Sequence, residues 1–173
     1  QGLQTATGDY RELHQNYTQI LNNQQQRPKT VTATNRGDIA ATLVHIYRAG
    51  QSEQLIEAVE NYVNQAASKL PRFDGTLALV FDASASTKSY GNRQYCCLAQ
   101  SVALKLVLEK CCNKLKVYQV GGTLDELPIP EGYSDIATSV LDAVKGNPDV
   151  IAIVSDGYEN IYPGDLSRVV ASL

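Results

Sequence analysis

Asp82-Ala83-Ser84-Ala85-Ser86 places a carboxylate and two hydroxyls at alternate positions. In an extended or gently turning segment such side chains emerge on one side, so their oxygens can converge. A second acid, Asp156, stands just beyond the apolar run Val150-Ile151-Ala152-Ile153-Val154, much as Asp82 ends the run Leu77-Ala78-Leu79-Val80-Phe81. Two carboxylates brought to one edge repel each other unless a proton or a cation lies between them. Carboxylates ringed by neutral hydroxyls are hard oxygen donors, a set that suits Mg2+ or Mn2+. The same residues have a purely local use. Asp82 can cap the turn after its strand, Ser84 and Ser86 can satisfy loop amides, and Asp156 fits a turn in Ser-Asp-Gly-Tyr.

The elements that must carry these groups follow from periodicity. The two apolar runs are too short for buried helices and are bounded by Gly, Pro or Asp, which predicts strands apolar on both faces in a parallel sheet covered by helices. Between them lie a helix over roughly Arg93 to Cys112, a strand in Lys114 to Val120 that stops at Gly121-Gly122, and a helix from about Asp135 to Lys145 whose Ile136, Val140, Leu141 and Val144 share a face. Alternating strands and helices predict an α/β doubly wound, mostly parallel sheet over residues 75–173. Ligands of such sheets bind beyond the carboxyl ends of the strands, where both acids fall. Residues 1–74 read as a helical extension and linker. A helix over 9–26 with Leu13, Tyr17, Ile20 and Leu21 at helical spacing gives way to Gln and Arg-Pro, a second helix runs from Asp38 to Ala49 and stops at Gly50, and a third follows Ser52 with a stripe of Leu55, Val59, Val63, Ala66 and Leu70 ended by Pro71.

Asp82-Ala83-Ser84-Ala85-Ser86 behind a buried strand resembles the DxSxS signature of the von Willebrand factor type A domain, whose cation site is the metal-ion-dependent adhesion site. Glu131-Gly132-Tyr133-Ser134-Asp135 is similar to that family's second loop, with Ser134 where the family has Thr, and Asp156 matches the acid that closes its later strand. The resemblance implies metal ligation by Asp82, Ser84, Ser86 and Ser134, with Asp156 acting through water. It implies a cation with a position open to a Glu or Asp carboxylate of a partner protein, hence recognition and no enzymatic turnover. The cap of the helix after Ser134 is the plain alternative for that residue. The family's sheet has two further strand and helix units, whereas only Ile161 to Leu173 follow here. The sheet is therefore short at its C-terminal side, with an open edge suited to self-association.

Two other readings stay open. The helix before Gly75 running into the strand resembles the junction in TROVE (Ro-type) ribonucleoproteins, where RNA is held mainly by helical repeats. An Asp at a strand end followed by hydroxyls also resembles the nucleophile loop of haloacid-dehalogenase-like phosphatases, but Ser84 occupies the place of their general acid.

Composition narrows the field. In 173 residues, a formal net charge of -3 with Lys and Arg scattered argues against nucleic acid as a partner of this chain. No apolar run approaches the roughly 20 residues that span a bilayer, so no membrane partner is expected. The sequence starts at Gln1 and contains no Met, which suggests a piece of a longer chain. Cys96-Cys97 and Cys111-Cys112 fit neither a zinc finger nor a redox CxxC; free thiols in a buried helix favour a reducing, cytoplasmic setting. Arg36-Gly37-Asp38 is read as a helix cap with no adhesive role. The sequon Asn16-Tyr17-Thr18 falls within an expected helix, and His14 and His45 receive no role.

Overall fold

The structure, a computed structural model, describes residues 32–159 and 161–173. The expected helix over 9–26, with His14 and the Asn16 sequon, lies outside the described residues. Two helices come first, α1 (Ile39–Ala49) and α2 (Glu53–Ala67). Asp38 caps α1 by accepting from the Ala41 amide at 3.0 Å, and Gly50 ends it at φ +95°, so Arg-Gly-Asp here does a capping job. Ser52 caps α2 through the Leu55 amide at 3.3 Å. The apolar stripe of α2 buries Leu55, Val59 and Val63, but the helix stops at Ala67 and leaves Leu70 exposed.

The sheet follows. Strand β1 (Phe73–Asp82) is central, with β4 (Cys112–Val120) on one side and β5 (Val150–Val154) on the other, all parallel. Between β1 and β4 the chain makes a 3-10 turn over Ala85–Lys88, a small hairpin of β2 (Ser89–Tyr90) and β3 (Arg93–Gln94), and helix α3 (Cys96–Cys111). Helix α4 (Ile136–Lys145) joins β4 to β5, and α5 (Asp165–Ser172) comes last. The path from β1 out to β4 and back across to β5 is the α/β doubly wound pattern. Gly37–Leu173 make one compact unit.

Alternation on β1 explains the layers. Ala78 and Val80 meet Val120, Ile136, Val140 and Ala143, with Leu166 and Val169 of α5 packed on the rim. Leu77, Leu79 and Phe81 point the other way, also fully buried or nearly so. Burying each such side chain contributes about 2 kcal/mol. Helix α3 contacts β1 and β4, and α1 and α2 both pack on α3. A helix covered on two sides has no polar half, which is why α3 shows no clean stripe in the sequence.

Three expectations are corrected. Helix α3 begins at Cys96, because Arg93 and Gln94 pair with Ser89 and Tyr90 and Tyr95 turns the chain at φ +60°. Leu141 is exposed, and Ala143 takes its place on the buried face of α4. Strand β5 lies at the sheet edge with Val150 and Ile153 partly open to solvent. A short apolar run reads alike whether one neighbour or two flank it, so the sequence could not tell edge from centre.

Candidate metal centre

Parallel register sets the acids. Phe81 pairs with Val154 and Asp82 with Val120, so the next rung puts Asp82 beside Ser155 at the carboxyl edge. Asp149 secures this register at the other end: its carboxylate accepts from the Thr76 amide at 2.6 Å and its own amide donates to the Thr76 carbonyl. Asp82 is only 1% exposed. Its Oδ1 accepts from the Ser84 amide at 2.8 Å, and its Oδ2 accepts from the Ser155 hydroxyl at 3.2 Å. The capping role is therefore real for one oxygen, while the other faces the neighbouring strand.

The hydroxyls lie close together, Ser86 reaching Ser84 from within the 3-10 turn and Ser134 from a different loop. Ser84 Oγ lies 3.1 Å from Ser86 Oγ and 2.8 Å from Ser134 Oγ. Ser84 and Ser134 are fully buried, whereas Ser86 is half-buried. Ser134 is not the cap of α4: that task falls to Asp135, whose side chain accepts from the Thr138 amide at 3.1 Å. The Ser134 hydroxyl is thus available to meet Ser84, 50 residues away in the chain.

Two loops must fit closely for this to happen. Gly121 (φ +63°) and Gly122 (φ +72°) let the chain leaving β4 press on the first loop: a side chain at Gly121 would meet Glu131 O at 2.7 Å and Ser84 Cα at 2.8 Å, and one at Gly122 would meet Ala83 Cβ at 2.8 Å. The Ala83 amide donates to Val120 O, Ala85 to Gly132 O and Gly122 to Glu131 O. Gln119 Nε2 donates to the carbonyls of Gly121 and Thr123, both at 2.8 Å. These bonds stiffen the segment that delivers Ser134. Thr87, buried, donates to Ser84 O at 2.7 Å and fixes the turn from below.

Asp156 stands half-buried beyond β5, its Oδ1 accepting from the Tyr158 amide at 3.0 Å. It is near enough to Asp82 for their charges to interact. Burial is the main reason that the Asp82 carboxyl titrates above its ordinary range, Asp156 pushes it further up, and the hydrogen bonds from Ser84 and Ser155 pull it back. Among the described residues no lysine, arginine or histidine forms an ion pair with either acid. Burial and the two acids also affect Cys97, whose thiol is pushed up to about 11 by desolvation first, then by Cys96, Asp156 and Asp82.

The donor set fits a small divalent cation. Oxygen ligands at right angles around Mg2+, about 2.1 Å from it, lie about 3 Å apart. The Ser84–Ser134 and Ser84–Ser86 separations of 2.8 and 3.1 Å are those of hydrogen-bonded hydroxyls and are compatible with that spacing. The described residues contain no group of three or more His, Cys, Asp or Glu side chains suited to a metal; at this edge three of the five candidate donors are serine hydroxyls. Of the five residues expected from the sequence, the structure joins Asp82, Ser84, Ser86 and Ser134 by direct contacts and brings Asp156 within electrostatic range. Ser155 was missed. Its signal was its position, the first residue after an apolar strand running parallel to the one that ends in Asp82.

No family model, curated protein or solved structure matches the chain. Likeness to the adhesion-site family therefore rests on the residues of the three loops.

Proposed function

We propose that this chain is a cation-dependent protein interaction module of the von Willebrand factor A type, holding Mg2+ or Mn2+ at Asp82, Ser84, Ser86, Ser134 and Asp156. The single observation that supports it most is the Ser84–Ser134 hydroxyl contact at 2.8 Å beside a buried carboxylate that has no cationic partner among the described residues. Asp82 and Asp156 supply the negative charge. The three serines supply neutral oxygen without adding charge, so a divalent ion there stays electrophilic and can accept a Glu or Asp carboxylate from outside. Ser155 and the Ser84 amide orient Asp82. The reading is one of recognition: Ser84, in the position a phosphatase would need for an acid, is a fully buried hydroxyl with no proton-donor function at neutral pH.

The test is thermal unfolding during a Mg2+ titration. Binding to the folded state alone raises stability by about 2.7 kcal/mol at a hundred times Kd. The melting temperature should climb with Mg2+ in the native chain and stay level in Asp82→Ala. A flat response in the native chain would discard the metal reading, and turnover of a chromogenic phosphate ester that disappears in Asp82→Asn would replace it with an enzyme.

A further inference from the structure

Helices α1, α2 and α3 and the loop over 123–129 surround a cavity of about 580 Å3. Its floor is apolar: Leu43, Ile46, Val59 and Val63 are buried there, with Ile56 and Leu106 half-buried beside them. The loop that forms the fourth wall is fixed at its base. The Thr123 amide donates to Ile129 O at 3.0 Å, the Ile129 amide donates to Thr123 Oγ1 at 2.9 Å, and Pro128 is fully buried. A wall held in this way keeps the cavity open instead of settling onto the apolar floor. Tyr47 also lines the cavity, stacked on Tyr95 with ring centroids 5.4 Å apart. Its hydroxyl is buried and has no hydrogen-bond partner among the described residues. A buried hydroxyl left unmatched costs stability in the free protein, and a bound molecule can recover that loss. The rim carries charge of one sign. Glu60, Glu109, Asp125 and Glu126 stand there against Lys110. Lys105 pairs with Glu109 at 3.1 Å, but among the described residues Glu60, Asp125 and Glu126 form no ion pair.

We propose that this cavity binds a small organic cation, an apolar body seated on the floor with one ammonium group at the acidic rim. The site is separate from the candidate metal centre and does not depend on it. Its volume falls within the range of small-molecule sites, roughly 300 to 1,000 Å3. Contact with the apolar floor supplies affinity whatever the charge of the ligand. The rim then selects: unpaired carboxylates attract an ammonium and repel a carboxylate or phosphate, so fatty acids and nucleotides are disfavoured. Burial pushes the Tyr47 phenol above its ordinary titration range, so it stays neutral and its oxygen can accept an N–H of the ligand.

Three dyes with one fluorescent body test this on the full chain: dansylcadaverine, which carries a primary ammonium, dansylamide, which is neutral, and dansylglycine, an anion. In fluorescence titrations at low salt, dansylcadaverine should bind about tenfold tighter than dansylamide, and dansylglycine should bind most weakly. The E60Q/D125N/E126Q variant, altered only at exposed side chains, should bring dansylcadaverine down to the level of dansylamide. Ile56→Trp, which fills the cavity, should remove binding of all three dyes. Tyr47→Phe should weaken dansylcadaverine about threefold or more without lowering the melting temperature of the dye-free chain, because the hydroxyl it removes has no partner there. Equal affinity for the three dyes in the native chain overturns the cation, and the absence of binding by any of them overturns the site. Dyes held as tightly by a folded Ile56→Trp variant sit elsewhere and overturn the cavity; if that variant shows no melting transition, the acidic-rim variant decides alone. An unchanged affinity in Tyr47→Phe overturns the part given to the hydroxyl. A basic amphipathic peptide that binds the native chain where no dye does, and is lost in Ile56→Trp, would overturn the small molecule and give the cavity to a protein partner.

Discussion

Ser134 and Asp135 are neighbours with separable tasks, and mutation can tell them apart. Ser134→Ala removes a hydroxyl that touches Ser84 but leaves the cap of α4 in place. Mg2+ affinity measured by calorimetry should drop about tenfold, or 1.4 kcal/mol, and the lost buried hydrogen bond should cost about 1 kcal/mol of apo stability. Asp135→Ala should cost about 1 kcal/mol of stability for a lost cap and leave Mg2+ affinity near native. Asp82 makes a pH prediction in EDTA. Its folded-state carboxyl titrates above the unfolded value, so the folded chain retains a proton that the unfolded chain has lost. Stability therefore falls as pH rises from the ordinary carboxylate range through the raised value, and the penalty is complete above it. Denaturant unfolding across that interval should show this decline in the native chain and a shallower one in Asp82→Asn. Saturating Mg2+ at neutral pH should oppose the decline by favouring the charged form.

At the scale of elements, the first loop and the chain leaving β4 act as one unit, because Gly121 and Gly122 admit a backbone approach that no side chain would allow. Gly121→Ala combines an unfavourable φ with a collision against Ser84 Cα and Glu131 O, and should cost roughly 2 to 3 kcal/mol. It should also weaken Mg2+ binding by displacing Ser84. Gly157→Ala also has a positive φ, +86°, but faces open space. Its cost should be only the backbone term, roughly 1 kcal/mol, as read from chemical denaturation of both variants. The doublet Gly121-Gly122 was legible as the end of a strand. Its closeness to Ser84, which is what makes it indispensable, was not.

For the whole molecule, the two edges of the sheet differ. Strand β4 presents exposed Lys114 and Lys116, a usual guard against pairing with another chain. Strand β5 is Val-Ile-Ala-Ile-Val, without charge or proline, and Val150 and Ile153 are open to solvent. Concentration-dependent association through β5 is the expected behaviour. Ile153→Lys should suppress it in sedimentation or light scattering while leaving the Mg2+ melting shift unchanged. An equal degree of association in that variant would place the contact elsewhere. Among the described residues no helix is long and apolar enough to cross a membrane.

Local rules were enough for much of this protein. Apolar runs bounded by turn residues marked β1 and β5, Asp38 and Ser52 marked the starts of α1 and α2, and Asp82, Ser84 and Ser86 marked a local set of oxygens, because each depends on residues a few positions apart. What the chain alone left open was long-range. Whether Ser134 caps a helix or meets Ser84, whether β5 is flanked by one strand or two, and whether Ser155 reaches Asp82 all depend on which strands lie side by side. Those contacts join residues 50 and 73 positions apart, a separation at which periodicity carries no information and strand register decides.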